Sequence, residues 1–342
     1  MKWTPFSIWW LAAGYFSAYV FFALGVKLVT PSANDVFSLL PAFVCGVAVT
    51  ITPVLWHLVN RASAHVADGE NPNSPGLIGW RQRARIIATL LARHRWAVLV
   101  SGVSTALIVV TTVFALSFRA VSIAVALLMM RGGVLALSPL IDWLTDRSIR
   151  PQAWGALGIS VAAIAVTALL TSAKGTIPLI IGLNLALYIG AYGVRLTLMA
   201  KTAKLRTRGL RATYGVGELV VCVATLFVCV LAVGWLGPIE AAQAIRQGLI
   251  SFSWGGFALG VTYGWVLTFG TLIYLDHRET SFAVPVNRAA SLVSGGVASA
   301  LLFFLWGGPP VQGVTMATMA IVLLGFGALA YTDQEIASST SR

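Results

Sequence analysis

The feature that most constrains this chain is a series of apolar runs, each about as long as the roughly 20 residues that carry an α-helix across the hydrocarbon of a bilayer. They fall near 6–28, 35–59, 96–116, 120–144, 153–171, 177–200, 214–234, 249–275, 281–305 and 311–331, with short polar connections between most of them. A soluble fold cannot hide that much apolar surface: of 342 residues, 58% are hydrophobic and only 10% are charged. Within a membrane, only helices and closed barrels satisfy their own backbone polar groups. Runs of helix length, without the alternation of tilted strands, argue against a barrel. The expected fold class is all-α: a polytopic membrane protein of ten transmembrane helices. The first run lacks a small-residue cleavage site and carries Trp9, Trp10, Tyr15 and Tyr19, so it reads as a retained helix rather than a signal peptide.

Basic residues in the loops set the orientation. A cytoplasmic N-terminus places Lys2, Arg61, Arg81, Arg83, Arg85, Arg93, Arg95, Arg147, Arg150, Lys201, Lys204, Arg206, Arg208, Arg211, Arg278 and Arg342 on the cytoplasmic side. The opposite side keeps only Lys27, Arg119, Lys174 and Arg246. Both termini are therefore expected in the cytoplasm, and the charge bias with short tails points to a bacterial inner membrane. The net charge of +12 is mainly this topology signal, so no nucleic-acid partner is expected. The long cytoplasmic segment of about 60–95 is expected to hold an amphipathic helix. Trp80, Ala84, Ile87 and Leu91 share one face of it, and Arg81, Arg85 and Arg93 lie mostly on the other, facing an anionic leaflet. A solvated basic linker is the alternative for that segment.

The chain also repeats itself. GVKL at Gly25–Leu28 returns as GVRL at Gly193–Leu196. Trp96 followed by GVST at Gly102–Thr105 returns as Trp254 followed by GVTY at Gly260–Tyr263. Arg131-Gly132-Gly133 with Leu135 returns as Arg288-Ala289-Ala290 with Leu292, Pro151-Gln152 as Pro310-Val311-Gln312, and Val44-Cys45 more weakly as Val221-Cys222. The pairs keep their order, and each half has an odd number of spans, so the halves are expected to be inverted repeats with a site between them at the midplane. The domain reading is a first five-helix repeat over 1–171, with the 60–95 segment as an insertion without counterpart, a second repeat over 172–331, and a cytoplasmic tail over 332–342.

Pro139-Leu140, followed by DRSIRPQAWGALGI at Asp146–Ile159, resembles the drug/metabolite transporter superfamily, the ten-helix EamA-like type. That family ends its fourth span on a proline, opens a short cytoplasmic loop with an acid and begins its fifth span with a Gln/Trp-then-Gly pattern. Here the acid is Asp146 where Glu is usual, and the second half keeps only Gly307-Gly308-Pro309-Pro310. The resemblance implies a secondary transporter working by alternating access, with the fourth and ninth spans lining the cavity.

Charge inside the spans points to the cargo. An arginine at a helix centre costs about 2.5–3.5 kcal/mol on insertion scales and so faces a partner, a cavity or a ligand. Arg131 and Arg288 occupy equivalent positions in the two halves, and converging guanidiniums suit phosphate or carboxylate oxygens. The expected substrate-binding set is Arg131, Arg288, Asn287, Tyr19, Tyr188, Tyr192 and Tyr263, with pairing to backbone carbonyls or Glu218, or packing alone for the tyrosines, as the alternative. Glu218 is a candidate for proton coupling, or else an ion-pair partner of Arg195 or Arg211. Arg195, close to Lys201, is expected to snorkel to the cytoplasmic surface.

The expected function is transport of a small organic anion. A flippase or carrier for an anionic or polyprenyl-linked lipid and a drug exporter are the alternatives. No cofactor is expected: there is no Walker-type loop, and His57, His65, His94 and His277 are scattered without metal-ligand spacing. No nucleophile-elbow sequence appears either, so an embedded enzyme is not expected. Cys45, Cys222 and Cys229 all fall inside spans and read as packing residues. A homodimer stays open.

Overall fold

The computed structural model describes residues 8–30, 35–70, 95–118, 123–144, 179–202, 208–274 and 280–308, with isolated positions between 154 and 165 and between 313 and 324. Among them every element is an α-helix: α1 (Ile8–Val29), α2 (Asp35–Glu70), α3 (Arg95–Ser117), α4 (Ile123–Leu144), α5 (Leu179–Thr202), α6 (Arg208–Leu236), α7 (Ile239–Ile250), α8 (Trp254–Tyr274) and α9 (Thr280–Trp306).

Seven of these carry a stretch long and apolar enough to cross a membrane: α1, α3, α5 and α8 whole, with Asp35–His57 of α2, Thr213–Leu236 of α6 and Val286–Trp306 of α9. In α4 the apolar stretch, Ile123–Val134, is shorter. The chain is a multi-pass helical membrane protein. Its outward faces agree: on α5, Leu183, Leu187 and Val194 are exposed at helical spacing while Tyr188, Tyr192 and Arg195 are buried. That is the reverse of a soluble amphipathic helix, as expected where the solvent is lipid.

Eight of the ten runs correspond to described helices. The fifth and tenth lie outside the described residues apart from scattered helical positions, as do Asp146, the 332–342 tail and the segment carrying Arg81, Arg85 and Arg93. Two bounds differ from the hydropathy reading because hydropathy stops where helix propensity does not. The second helix continues through the polar, alanine-containing stretch 60–70, and the seventh begins at Arg208 rather than near 214. The eighth run is corrected at its start. Residues 239–250 form the separate helix α7, which follows Gly237 and Pro238. The chain is extended at Ser251, and the Ser253 hydroxyl accepts the Gly256 N–H at 3.1 Å at the start of α8.

The bundle is joined through pairwise packing of α2 on α8, α1 on α8 and α9, α5 on α3 and α4, α6 on α2 and α3, and α4 on α9. The crossing of α2 and α8 brings backbone against backbone. A Cβ on Gly260 would lie 2.0 Å from the Phe43 carbonyl oxygen, and one on Gly46 would lie 2.3 Å from that of Phe257. Only glycine lets two backbones approach this closely, the usual device for helix association where lipid removes the hydrophobic drive. After α9 the chain turns through Gly307, at φ +66°, whose N–H donates to the Phe303 carbonyl at 3.1 Å.

Candidate functional site

Arg131 projects from α4 into the bundle and is 1% exposed. Its Nη1 donates to the Tyr188 hydroxyl at 2.5 Å and to that of Tyr192 at 3.4 Å, and its Nη2 donates to the Tyr19 hydroxyl at 2.5 Å. The guanidinium carbon lies 4.8 Å from the Tyr19 ring centroid, within reach of a cation–π attraction. Arg288, on α9 and fully buried, donates from Nη1 to the same Tyr188 hydroxyl at 3.3 Å and from Nη2 to the hydroxyl of Tyr274. Its guanidinium sits 4.2 Å from the Tyr192 ring centroid. Asn287, next to it, accepts from Tyr274 through Oδ1 at 2.7 Å.

The two arginines that sequence placed at equivalent positions thus meet on one tyrosine. Helix spacing accounts for the enclosure: Tyr188 and Tyr192 are one turn apart on α5, and their rings touch at 4.8 Å between centroids. Tyr15 and Tyr19 repeat that spacing on α1, with centroids 5.6 Å apart. The cluster draws on α1, α4, α5, α8 and α9. Every hydrogen-bond partner that the Arg131 and Arg288 guanidiniums have among the described residues is a phenol oxygen. Arg131 Nε, Arg288 Nε and Asn287 Nδ2 are buried without a hydrogen-bond partner there, and all three are donors.

A second charged group lies next to the first. Arg195, one turn beyond Tyr192 on α5, is 2% exposed. It does not snorkel to the surface as expected, because it has a counter-charge within the bundle. Its Nε donates to Glu218 Oε1 on α6 at 2.5 Å, and its Nη2 donates to Thr271 on α8 at 3.0 Å. The same carboxylate oxygen accepts from Ser101 at 3.0 Å and Thr105 at 2.7 Å, one turn apart on α3. Glu218 Oε2 is left without a partner. The Arg195 guanidinium also lies 5.3 Å from the Tyr274 ring centroid, which joins the two groups.

Of the expected binding set, Arg131, Arg288, Asn287, Tyr19, Tyr188 and Tyr192 come together. Tyr263 is buried in the aromatic core instead, 4.6 Å from Phe22 and 5.8 Å from Phe43 between centroids. Asn184 donates across helices to the Thr111 carbonyl at 3.0 Å. Sequence reading missed Tyr274, Thr271, Ser101 and Thr105. Tyr274 ends its helix, where a tyrosine reads as an interface anchor, and small hydroxyls inside a span give no hydropathy signal. Among the described residues no group of His, Cys, Asp and Glu could hold a metal ion.

Fold and site together define a class: a multi-pass helical membrane protein with an enclosed, arginine-rich and phenol-lined centre. No protein-family model, no curated protein and no solved structure matches the chain.

Proposed function

We propose that this protein is a secondary transporter of the ten-helix drug/metabolite type, sited in a bacterial inner membrane. It carries a small organic anion with a phosphate or carboxylate group by alternating access. The observation that carries the reading is the Arg131–Arg288 pair: two buried guanidiniums that share a phenol and have no carboxylate partner among the described residues. Buried charge of one sign is expensive, and a site that holds it needs an anion to complete it. A cationic drug would meet repulsion in the same place.

The packing pattern supports the two-repeat reading. Exchange α1 with α5, α2 with α6, α3 with α8 and α4 with α9, as the sequence repeats prescribe. The α1–α8 and α1–α9 contacts then become α5–α3 and α5–α4, α2–α8 becomes α6–α3, and α2–α6 and α4–α9 map onto themselves. Proton coupling through Glu218 belongs to the proposal, supported by its unpartnered Oε2.

The test is uptake into proteoliposomes of a panel of phosphate- and carboxylate-bearing solutes. Arginine-dependent uptake of at least one is expected, and uptake unchanged in Arg131→Gln with Arg288→Gln would remove the site. Stimulation by an inward-acidic or inward-alkaline gradient, lost in Glu218→Gln, is the expected sign of proton coupling.

A further inference from the structure

We infer that the Tyr188 hydroxyl is a place-holder for the cargo, and that the group which displaces it is a single tetrahedral dianion, the head of a phosphomonoester. The inference rests on the anion-transporter reading and adds to it the charge, the shape and the point of attachment.

Charge comes first. Among the described residues the centre holds three buried arginines, Arg131, Arg195 and Arg288, against the single buried carboxylate of Glu218, which Arg195 already engages. Two positive charges are left over, so a monoanion would leave one of them uncompensated in a low-dielectric interior, and a dianion neutralises both.

Hydrogen-bond capacity gives the shape. The unpartnered atoms around Arg131 and Arg288 are all donors: Nε of each arginine and Nδ2 of Asn287. The acceptors that the two guanidiniums reach each hold a donor already, the Tyr192 oxygen taking Arg131 Nη1 at 3.4 Å. The Tyr188 oxygen takes Nη1 of both arginines, the Tyr19 oxygen takes Arg131 Nη2, the Tyr274 oxygen takes Arg288 Nη2, and Asn287 Oδ1 takes the Tyr274 proton. What is missing is a compact group rich in acceptors and free of donors. A phosphoryl head offers three strong acceptor oxygens, whereas a carboxylate offers two in one plane.

Position singles out Tyr188. Both Nη1 atoms lie within 3.3 Å of its oxygen, so the two guanidiniums are near enough for one tetrahedral group to touch both. A neutral phenol oxygen shared by two cations accepts weakly compared with an ionised oxygen. The dianion therefore takes over both bonds, and the ring withdraws.

The experiment is calorimetric binding to the purified full-length protein in detergent, with methyl phosphate, dimethyl phosphate, acetate and succinate as probes. Methyl phosphate can carry two charges and dimethyl phosphate only one. The expected result is methyl phosphate binding at least about tenfold tighter than dimethyl phosphate or acetate. In Tyr188→Phe, which removes the acceptor that the two Nη1 atoms share, methyl phosphate is expected to bind roughly five- to thirtyfold tighter still, the worth of one to two ordinary hydrogen bonds.

Equal binding of methyl and dimethyl phosphate, or binding of succinate but not methyl phosphate, overturns the tetrahedral dianion while leaving the anion reading intact. Weaker methyl phosphate binding in Tyr188→Phe makes Tyr188 a ligand of the cargo and overturns its place-holder role. No binding of any probe by the wild-type protein overturns both readings. The wild-type comparison of the two phosphate esters does not depend on any variant folding.

Discussion

The Arg195 guanidinium donates to Glu218 on α6 and Thr271 on α8, two hydroxyls from α3 donate to the same carboxylate oxygen, and the polar atom left over among the described residues is an acceptor, Glu218 Oε2. Around Arg131 and Arg288 there are only phenols and one amide, and the atoms left over are donors. The two groups share α5 and touch through Tyr274, yet among the described residues one is internally neutral and the other carries two positive charges with no counter-ion. A bundle that needed arginine only as structure could have used the first arrangement twice. The second is costly to fold, and on the proposed function an anion offsets that cost, so the two should respond in opposite ways to mutation.

Glu218→Ala should have the largest effect. It leaves Arg195 buried without a counter-ion, and loss of one partner of a buried pair costs about 3–5 kcal/mol. The thermal unfolding midpoint in detergent should drop sharply, whereas Arg195→Met combined with Glu218→Leu should recover most of the loss. If the double variant is as unstable as the single one, the pair does not act as a neutral unit.

The next effect is in binding. Arg131→Gln or Arg288→Gln removes a charge-assisted contact worth roughly 1.5–3 kcal/mol, so anion affinity by titration should fall tenfold or more. Stability should move the other way. Arg131→Met with Arg288→Met relieves buried like charge, and its unfolding midpoint should equal or exceed that of the wild type. A collapse matching Glu218→Ala would erase the contrast between the groups.

Tyr274→Phe should be milder, about 1 kcal/mol of stability, since it unties Arg288 from Asn287. Anion binding should persist in it, with the freed Arg288 Nη2 and Asn287 Oδ1 changing the contacts of the cargo. The smallest change is expected for Lys27→Met. Lys27, which matches Arg195 in the GVKL and GVRL sequences, donates to the Phe118 carbonyl at 2.6 Å in a part-buried setting, so its loss should shift the midpoint by well under that of Glu218→Ala.

Sequence showed the helices and the arginine pair for the same reason. Both are violations or fulfilments of one rule, that hydrocarbon tolerates little charge, and Arg131 and Arg288 stand out against apolar neighbours. The fate of Arg195 is legible in part. Sequence offers Glu218 as its ion-pair partner beside an exit to the surface near Lys201, whereas Ser101 and Thr105, whose hydroxyls hold the same carboxylate oxygen, give no signal there. Tyr263 stands against Phe22 and Phe43, and a tyrosine deep in a span looks the same in sequence whether it faces a ligand or a ring. The eighth run starts at 249, at the very end of α7, because Leu249, Ile250 and Phe252 carry apolar character across the break at Ser251, and the more polar 239–248 gives no span signal.

The glycine contact between α2 and α8 has a mechanical meaning. Backbones that meet at Gly46 and Gly260 have no side-chain cushion between them, so neither helix can slide or rotate without the peptide groups colliding. That seam behaves as a weld. A movement that opens the centre to one face of the membrane must keep α2 and α8 together as one rigid plate. The displacement then falls on joints made of side chains, such as α1 against α9 and α4 against α5, where the phenols and arginines sit.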